Sequence, residues 1–406
     1  MSLRRILAIT AILGLAVQVA AWPPPSGSEL EHIDSKGDPV AMAAMSADGK
    51  QIALLAGTGP YHLLVGQPAT LQVVETAPLN AHSLSMSGDG SVIVASTTIN
   101  QTGRLVLFDH GAVREESLDF PGLGQPSSLE NVKVSRDGRT IYGVAFLDGH
   151  QGQVFKWDGT TATIVSQTSE GQLGSDLSYF ASASGDGTEI VFASLAQNLG
   201  ASPKGTFFLA KGSQAASKLP LPDETANYAT VTPDGSTMAF ALGNDPQRLW
   251  TLVGASVTEV DSPTERLEWA SFDPMLSDDG QEMVFARFSR ASSGGELILH
   301  DIASGQERAL LTWNGAQSCP IANGESLPTL GHAAATSDLR TILVTTTLCL
   351  DGHDDSDAMD AYLLRVGSEP ISASSSPSTQ DSSGPGAAVV ILTVAGAVAG
   401  LQRRWR

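Results

Sequence analysis

The densest group of possible metal ligands is an acidic segment near the carboxyl end of the chain. Residues 351–360 read DGHDDSDAMD, which places carboxylates at Asp351, Asp354, Asp355, Asp357 and Asp360. Ca²⁺ takes about six to eight oxygen ligands, and closely spaced carboxylates can provide them. The segment lacks the Gly and Glu that the helix–loop–helix calcium motif carries at its sixth and twelfth positions. Two interpretations stay open: a solvated acidic loop, or a Ca²⁺ site built from Asp354, Asp355, Asp357 and Asp360.

A second candidate group contains histidine and occurs twice. Residues 147–150 and 350–353 both read LDGH. Histidine changes charge near neutral pH and serves in ligand binding and in acid–base chemistry. If both tetrapeptides lie on the same face of the fold, they predict a ligand pocket lined by Asp148, His150, Asp351 and His353. Descent of both from one ancestral repeat explains the match equally well.

The elements that must position these residues are set by a short motif that recurs seven times. Each copy has Ser or Thr, any residue, Asp, usually Gly, and an apolar residue four positions after the Asp. The copies begin at Ser46, Ser87, Ser135, Ser184, Thr232, Ser277 and Thr336. Asp-Gly is a strong β-hairpin signal, because Gly adopts positive φ and Asp bonds its own backbone. Spacings of about 40–50 residues are those of four-stranded propeller blades.

Strand patterns flank each of these hairpin motifs. Apolar side chains alternate after the turn, as at Ile52 and Leu54 or at Ile190 and Phe192, and this period of two indicates a β-strand. Outside the termini no stretch has a sustained helical period. The sequence therefore predicts an all-β fold, a seven-bladed propeller with four-stranded blades, in which the motif joins the first two strands of a blade.

The seventh repeat provides only three strand patterns, near residues 331–336, 341–347 and 361–366. We expect the segment 29–34 to supply the fourth strand. Closure of this kind would remove an open sheet edge that otherwise promotes aggregation.

The Ser-x-Asp-Gly-x-x-Ile hairpin resembles the WD-repeat-like repeat of the periplasmic propeller of the Tol–Pal system and its relatives. The resemblance covers about residues 38–366. The Tol–Pal protein has an additional amino-terminal α/β domain, for which residues 1–47 leave too little room. The prolyl-oligopeptidase relatives add a hydrolase domain, whose Gly-x-Ser-x-Gly elbow is missing from this sequence. The resemblance therefore implies the fold and no particular activity.

The two ends of the sequence predict export and attachment to a membrane. Residues 1–21 have a basic start, an apolar run and small residues before Trp22, which is typical of a signal peptide. We expect a propeller over 22–370, a Ser/Pro-rich stalk over 371–386, an apolar transmembrane or sorting segment over 387–402, and a basic cytoplasmic end over 403–406. The tail resembles the sorting signals of exosortase- and archaeosortase-type enzymes. The predicted location is the cell surface, with the chain either anchored by one span or processed at this tail.

Charge narrows the possible partners. The chain has 43 acidic and 23 basic residues, a net charge of −20. Five of the arginines belong to the terminal segments, which leaves the predicted exported part near −25. Nucleic acids are bound by basic surfaces that displace counterions, so DNA and RNA are disfavoured as partners.

Two cysteines and one asparagine complete the set of candidate sites. Cys319 lies in the connection between the sixth and seventh blades, and Cys349 follows the second strand of the seventh. Both connections belong to the same face of a propeller, so we expect a disulfide in an exported protein. Asn100-Gln-Thr is a glycosylation sequon in hosts that use it.

The sequence favours a monomeric, non-enzymatic module that binds a protein or a glycan and needs no cofactor other than a possible Ca²⁺. One alternative is an extracytoplasmic enzyme similar to propeller lactonases or lyases, with His150 and His353 at the channel mouth. Another is a scaffold of the cell envelope.

Overall fold

The computed structural model describes residues 28–243, 247–260, 274–289, 294–313, 330–347 and 359–367. All of them fall within the first of two compact units, Met1–Ala373. They form seven antiparallel sheets of four strands each, and the helical structure described is a single 3₁₀ turn, Gln197–Leu199. The predicted seven-bladed, four-stranded, all-β propeller is confirmed.

The blades are numbered here in the order of their hairpin motifs. Blades one to three consist of β2 (Val40–Met45), β3 (Ile52–Ala56), β4 (Tyr61–Gly66) and β5 (Gln72–Leu79); β6 (Ala81–Met86), β7 (Val92–Ile99), β8 (Thr102–Asp109) and β9 (Ala112–Ser117); β10 (Ser128–Val134), β11 (Ile141–Phe146), β12 (Gln153–Trp157) and β13 (Ala162–Ile164).

Blades four to six consist of β14 (Ser178–Ala183), β15 (Glu189–Ser194), β16 (Thr206–Lys211) and β17 (Ser217–Lys218); β18 (Ala226–Val231), β19 (Thr237–Leu242), β20 (Arg248–Val253) and β21 (Ser256–Glu259); β22 (Met275–Leu276), β23 (Glu282–Ser289), β24 (Gly294–Asp301) and β25 (Glu307–Trp313). Blade seven consists of β26 (Leu330–Ala335), β27 (Thr341–Thr346), β28 (Asp360–Arg365) and β1 (Glu29–Ile33).

The amino-terminal strand completes blade seven, as the sequence predicted. Strand β1 pairs with β28 in antiparallel register, from Glu29 opposite Arg365 to Ile33 opposite Ala361. Ile33 is 1% exposed and packs among apolar residues of blades one and seven. The pairing covers the outer edge of β28 and links the two ends of the propeller.

Each hairpin motif is held by its Ser or Thr hydroxyl, which has both donor and acceptor capacity. In blade two the Ser87 hydroxyl donates to Asp89 (2.7 Å) and accepts the N–H of Val92 (3.0 Å). Gly90 has φ +75°, in the left-handed region that favours glycine. The same hydroxyl-to-carboxylate bond forms in all seven copies, including the divergent last one between Thr336 and Asp338. The motif therefore fixes where strand one ends and strand two begins in every blade.

The hydrophobic core lies between neighbouring blades. Apolar side chains of the second and third strands are almost fully buried, and they pack against the corresponding strands of the next blade. Phe207 of blade four and Phe240 of blade five, for example, have ring centroids 5.0 Å apart. Because every blade packs on two others, the innermost strands are held in a fixed ring around the central channel.

Candidate functional site

Seven equivalent residues border the channel at the hairpin end of the propeller. They occupy the position between the Ser or Thr and the Asp of each hairpin motif, here called the ring position. The ring positions are Ala47, Gly88, Arg136, Gly185, Pro233, Asp278 and Ser337. Five of the seven are small or uncharged, so the turn itself does not require a charged side chain there.

Backbone hydrogen bonds join these hairpins around the channel. The amide of Ala47 donates to the carbonyl of Gly88, and the amide of Gly88 donates to the carbonyl of Arg136, both at 2.8 Å. Equivalent bonds of 2.8–2.9 Å link blades four to five, six to seven and seven to one. Blades three and four are linked by the amide of Asp137, one residue after the ring position, which donates to the carbonyl of Gly185 at 2.9 Å. The junction between blades five and six lacks this bond because Pro233 has no N–H.

A cavity of about 210 Å³ lies at this end of the channel. Six of the ring positions line it, and Tyr142 of strand β11 contributes to its wall. The rest of the wall comes chiefly from the last residue of each innermost strand, one position before the Ser or Thr. These apolar residues, here called the collar, are Met45, Met86, Val134, Ala183, Val231, Leu276 and Ala335.

Two charged side chains meet across the cavity. The Nη1 of Arg136 in blade three lies 2.6 Å from the Oδ1 of Asp278 in blade six, and its Nη2 lies 2.6 Å from the Oγ of Ser337 in blade seven. The side chains of Arg136 and Asp278 are 32% and 36% exposed. Burial raises the pKa of the Asp278 carboxyl above its ordinary value, although Arg136 and Ser337 act in the opposite direction. Desolvation therefore outweighs pairing at this carboxylate.

Sequence reasoning did not identify Arg136 and Asp278 as site residues. The available signal was that they are the only charged residues at the seven ring positions, a comparison that requires the repeats to be aligned. The turn residues of the motif are more prominent in the sequence, but their side chains are committed to the hairpins.

The predicted histidine pocket is only partly within the described residues. Asp148 and His150 are exposed, in the turn between β11 and β12, where the amide of His150 donates to the carbonyl of Leu147 (3.0 Å). Asp351 and His353 lie outside the described residues. Their grouping with Asp148 and His150 stays a prediction.

Of the four predicted Ca²⁺ ligands, only Asp360 lies within the described residues. Asp360 is the first residue of β28, its side chain is 15% exposed, and its Oδ1 lies 3.9 Å from the Nε2 of His32. Asp354, Asp355 and Asp357 lie outside the described residues, as do Cys319 and Cys349 of the predicted disulfide. The described part of the chain has no group of three or more His, Cys, Asp or Glu side chains placed to hold a metal ion.

The sequon asparagine lies in an accessible turn. Asn100 is exposed, has φ 51°, and connects β7 to β8. Its position is compatible with glycosylation in a host that modifies this sequon.

A second polar cluster lies within blade six. The Nη2 of Arg287 contacts both carboxylate oxygens of Glu307 at 2.8 and 2.7 Å, and the Nδ1 of the buried His300 lies 3.6 Å from the same carboxylate. Burial opposes the charge of Glu307, but His300 and Arg287 lower its pKa below the ordinary value. The cluster joins strands β23, β24 and β25, and we interpret it as structural.

Residues 26–154 match the family of the lipoprotein LpqB β-propeller domain. The matched segment is less than half of the chain and contains β1, blades one and two, and the start of blade three. No curated protein gives a significant match. Within the residues that the structure describes, no helix has the length and apolar character needed to cross a membrane.

Solved structures with a similar fold include TolB proteins and a prolyl endopeptidase. The putative TolB from Agrobacterium tumefaciens is 16% identical, with 60% of this chain and 85% of that chain covered and a TM-score of 0.43. TolB from Acinetobacter baumannii is 16% identical, with 65% and 64% covered and a TM-score of 0.45. A structure from an analysis of two prolyl endopeptidases is 12% identical, with 79% and 47% covered and a TM-score of 0.50. The chain spans less than two thirds of the last two proteins, and the likeness concerns the fold.

Proposed function

We propose that this chain is an exported, surface-tethered β-propeller of the cell envelope that acts as a non-enzymatic binding module for a protein or a glycan. The main support is the channel cavity at the hairpin end, with its apolar collar and its two charged ring positions. Binding sites are usually concave and have a few polar groups that converge on the ligand, as Arg136 and Asp278 do here.

The state of the motif aspartates argues against these carboxyls as general acids or bases. In blade one, Lys50 and Ser46 donate hydrogen bonds to Asp48 and lower its pKa to about 2. Hydrogen bonds within the turns likewise lower the pKa of the corresponding carboxyls in blades two, four and five. A general acid or base works best with a pKa near the operating pH. These carboxylates are instead held ionised as acceptors within their turns.

The envelope location rests on two kinds of observation. Residues 26–154 match a propeller family described as a lipoprotein domain. Residues 1–21 and 387–402 have the composition of an export signal and of an apolar anchor or sorting segment. An exported module with a carboxyl-terminal attachment would present its propeller to partners outside the cytoplasm.

Location is tested by expressing the full chain in a bacterial host and treating intact cells with a protease. Exposure of the propeller on intact cells supports the proposal, and digestion only after lysis contradicts surface display. A variant lacking residues 387–406 is the matched control, because it should be released into the medium if the tail is the attachment.

Activity is tested on the full chain purified in a non-ionic detergent. The chain is applied to a glycan array, cross-linked to intact envelopes, and incubated with a panel of small lactones. Saturable binding with unchanged ligand supports the binding module. Catalytic conversion of a lactone would overturn the non-enzymatic part of the proposal.

A further inference from the structure

We propose that the channel cavity binds a small ligand that carries a carboxylate, and that Arg136 is the residue that binds this carboxylate. The inference rests on the proposed binding function and specifies its ligand chemistry.

The repeats provide an internal control for the two charged residues. Ala47, Gly88 and Gly185 occupy the same position in turns held by the same hydroxyl-to-carboxylate bonds. Arg136 and Asp278 are therefore not needed to make their own hairpins. Their side chains are directed instead into the cavity that they line.

The Arg136–Asp278 ion pair contributes little to the stability of the fold. About one third of each side chain is exposed, and ion pairs that stay in contact with water contribute little to stability. Backbone bonds already join six of the seven blade junctions at this end of the channel. Arg136 can therefore exchange its ion pair with Asp278 for a similar ion pair with a ligand carboxylate.

Arginine is suited to this exchange because its planar guanidinium matches a carboxylate with two parallel N–H groups. In the present arrangement it directs one terminal nitrogen to Asp278 and the other to Ser337. The Asp278 carboxylate thus takes one of the two contacts that a ligand carboxylate would use. Ser337 also donates to the carbonyl of Ala47 at 3.1 Å, so its position does not depend on Arg136 alone.

The size of the cavity limits what can accompany the carboxylate. The collar side chains of Met45, Met86, Val134 and Val231 are at most 9% exposed, and most of the surface that the cavity exposes is polar. Its volume of about 210 Å³ exceeds the ~150 Å³ of an engineered cavity that binds benzene. A phenyl or branched aliphatic group next to the carboxylate fits this space. Such chemistry occurs in small aryl or alkyl acids and in the carboxyl-terminal residue of a peptide.

Because Asp278 and the ligand compete for Arg136, substitutions of the two residues should change the affinity in opposite directions. A bound carboxylate would displace the Asp278 carboxylate and would then be repelled by it. Removing the charge of Asp278 should therefore strengthen binding, whereas removing the charge of Arg136 should weaken it. A purely structural pair would give the same direction of change for both substitutions.

The test uses the full chain in detergent and measures binding of 3-phenylpropionate by calorimetry, with empty micelles as the reference. 3-Phenylpropanol and 3-phenylpropylamine have the same apolar group without the carboxylate. We expect only the acid to bind measurably. Arg136→Gln should weaken binding at least about tenfold, as expected for loss of a charge-assisted contact. Asp278→Asn should strengthen it about threefold or more.

The matched control is Arg139→Gln, in the same hairpin, where the arginine side chain is 86% exposed and does not line the cavity. It should leave binding unchanged. If Arg136→Gln is poorly folded by circular dichroism, Arg136→Lys replaces it, because Lys keeps the charge and loses the planar fork. Arg136→Lys should bind the acid more weakly than the wild type.

A second set of probes distinguishes the two sources of the carboxylate. Acetylated tetrapeptides ending in Leu or Phe are compared as free acids and as amides. Binding of the free-acid peptides supports the site with a chain terminus as its ligand, and binding of 3-phenylpropionate alone supports it with a small acid. Equal binding of peptide acids and amides would overturn the assignment.

Three other results would overturn the proposal. They are no binding of either class of acid, equal affinity of Arg136→Gln and the wild type, and weaker binding by Asp278→Asn. If these occur while an envelope partner still cross-links to the Arg136→Gln chain, the carboxylate site fails and the binding function stands. If neither the wild type nor any variant cross-links to an envelope partner, the proposed binding function itself is contradicted.

Discussion

Arg365 on the third strand of blade seven forms an ion pair with Glu31 on the amino-terminal strand, with Nη2 and Oε2 2.9 Å apart. The two residues lie 334 positions apart in the sequence. Both side chains are more than one third exposed, so the pair itself contributes little to stability. The buried side chain of Ile33, on the same strand, packs among residues of blades one and seven and stabilises the closed ring.

We therefore expect Ile33→Ala to lower the free energy of unfolding by about 2–4 kcal/mol, since the side chain is 1% exposed and its loss leaves a cavity. Glu31→Gln is the control on the same strand and should cost about 1 kcal/mol or less. Urea unfolding followed by tryptophan fluorescence measures both. Similar values for the two variants would mean that β1 does not hold the ring closed through its buried face.

In the hairpin of blade two, loss of the Ser87 hydroxyl should destabilise the protein more than loss of the Ser91 hydroxyl. Ser87 is fully buried and both donates to Asp89 and accepts from Val92. Ser91 is less buried, and its hydroxyl donates to Asp89 at 2.7 Å. We expect Ser87→Ala to reduce the free energy of unfolding by about 1–3 kcal/mol, because it leaves a buried amide without its partner.

Ser91→Ala should cost less than half as much, because Asp89 keeps its other donors. The two variants are compared by thermal unfolding at one pH. Equal losses would show that the hydroxyl of Ser87 has no special role in the motif.

Acid should destabilise the propeller through these turns. The pKa of Asp48 is lowered to about 2, and hydrogen bonds lower the pKa of Asp89, Asp186 and Asp234 as well. Groups with a depressed pKa in the folded state stabilise it fully above the unfolded value, and this contribution is lost as pH falls through the folded value. We expect the melting temperature to decrease from about pH 4 towards pH 2.

Asp48→Asn should flatten this decrease, because it removes one of the titrating groups while keeping an oxygen acceptor for the Ser46 hydroxyl. Melting curves of the variant and the wild type at closely spaced pH values check this. An identical slope in both proteins between pH 4 and pH 2 would contradict the role of the Asp48 turn.

The hairpins and the ring closure could be predicted from the sequence. The hairpins depend on local chemistry, and the ring closure follows from the number of strand patterns in each repeat. The Ser87–Asp89 turn involves neighbouring residues. Because the seventh repeat has only three strand patterns, its missing strand could be assigned to the segment 29–34 that precedes blade one. The Arg136–Asp278 pair could not be predicted in this way. Its residues are 142 positions apart, and their meeting depends on the width of the channel and on the order of blades around it. Similarly, identical LDGH segments do not determine whether their side chains converge.

The acidic segment 351–360 should respond to Ca²⁺ if it is a metal site. Its proposed Ca²⁺ ligands are Asp354, Asp355, Asp357 and Asp360, of which Asp360 already lies near His32 in the described structure. If these carboxylates bind Ca²⁺, the metal should raise the melting temperature of the full chain and EDTA should reverse the effect, because a ligand that binds only the folded state stabilises it. Asp355→Asn combined with Asp357→Asn should abolish the shift, whereas Asp148→Asn, in the blade-three turn, should not. Equal melting of the wild type in Ca²⁺ and in EDTA would identify the segment as a solvated acidic loop.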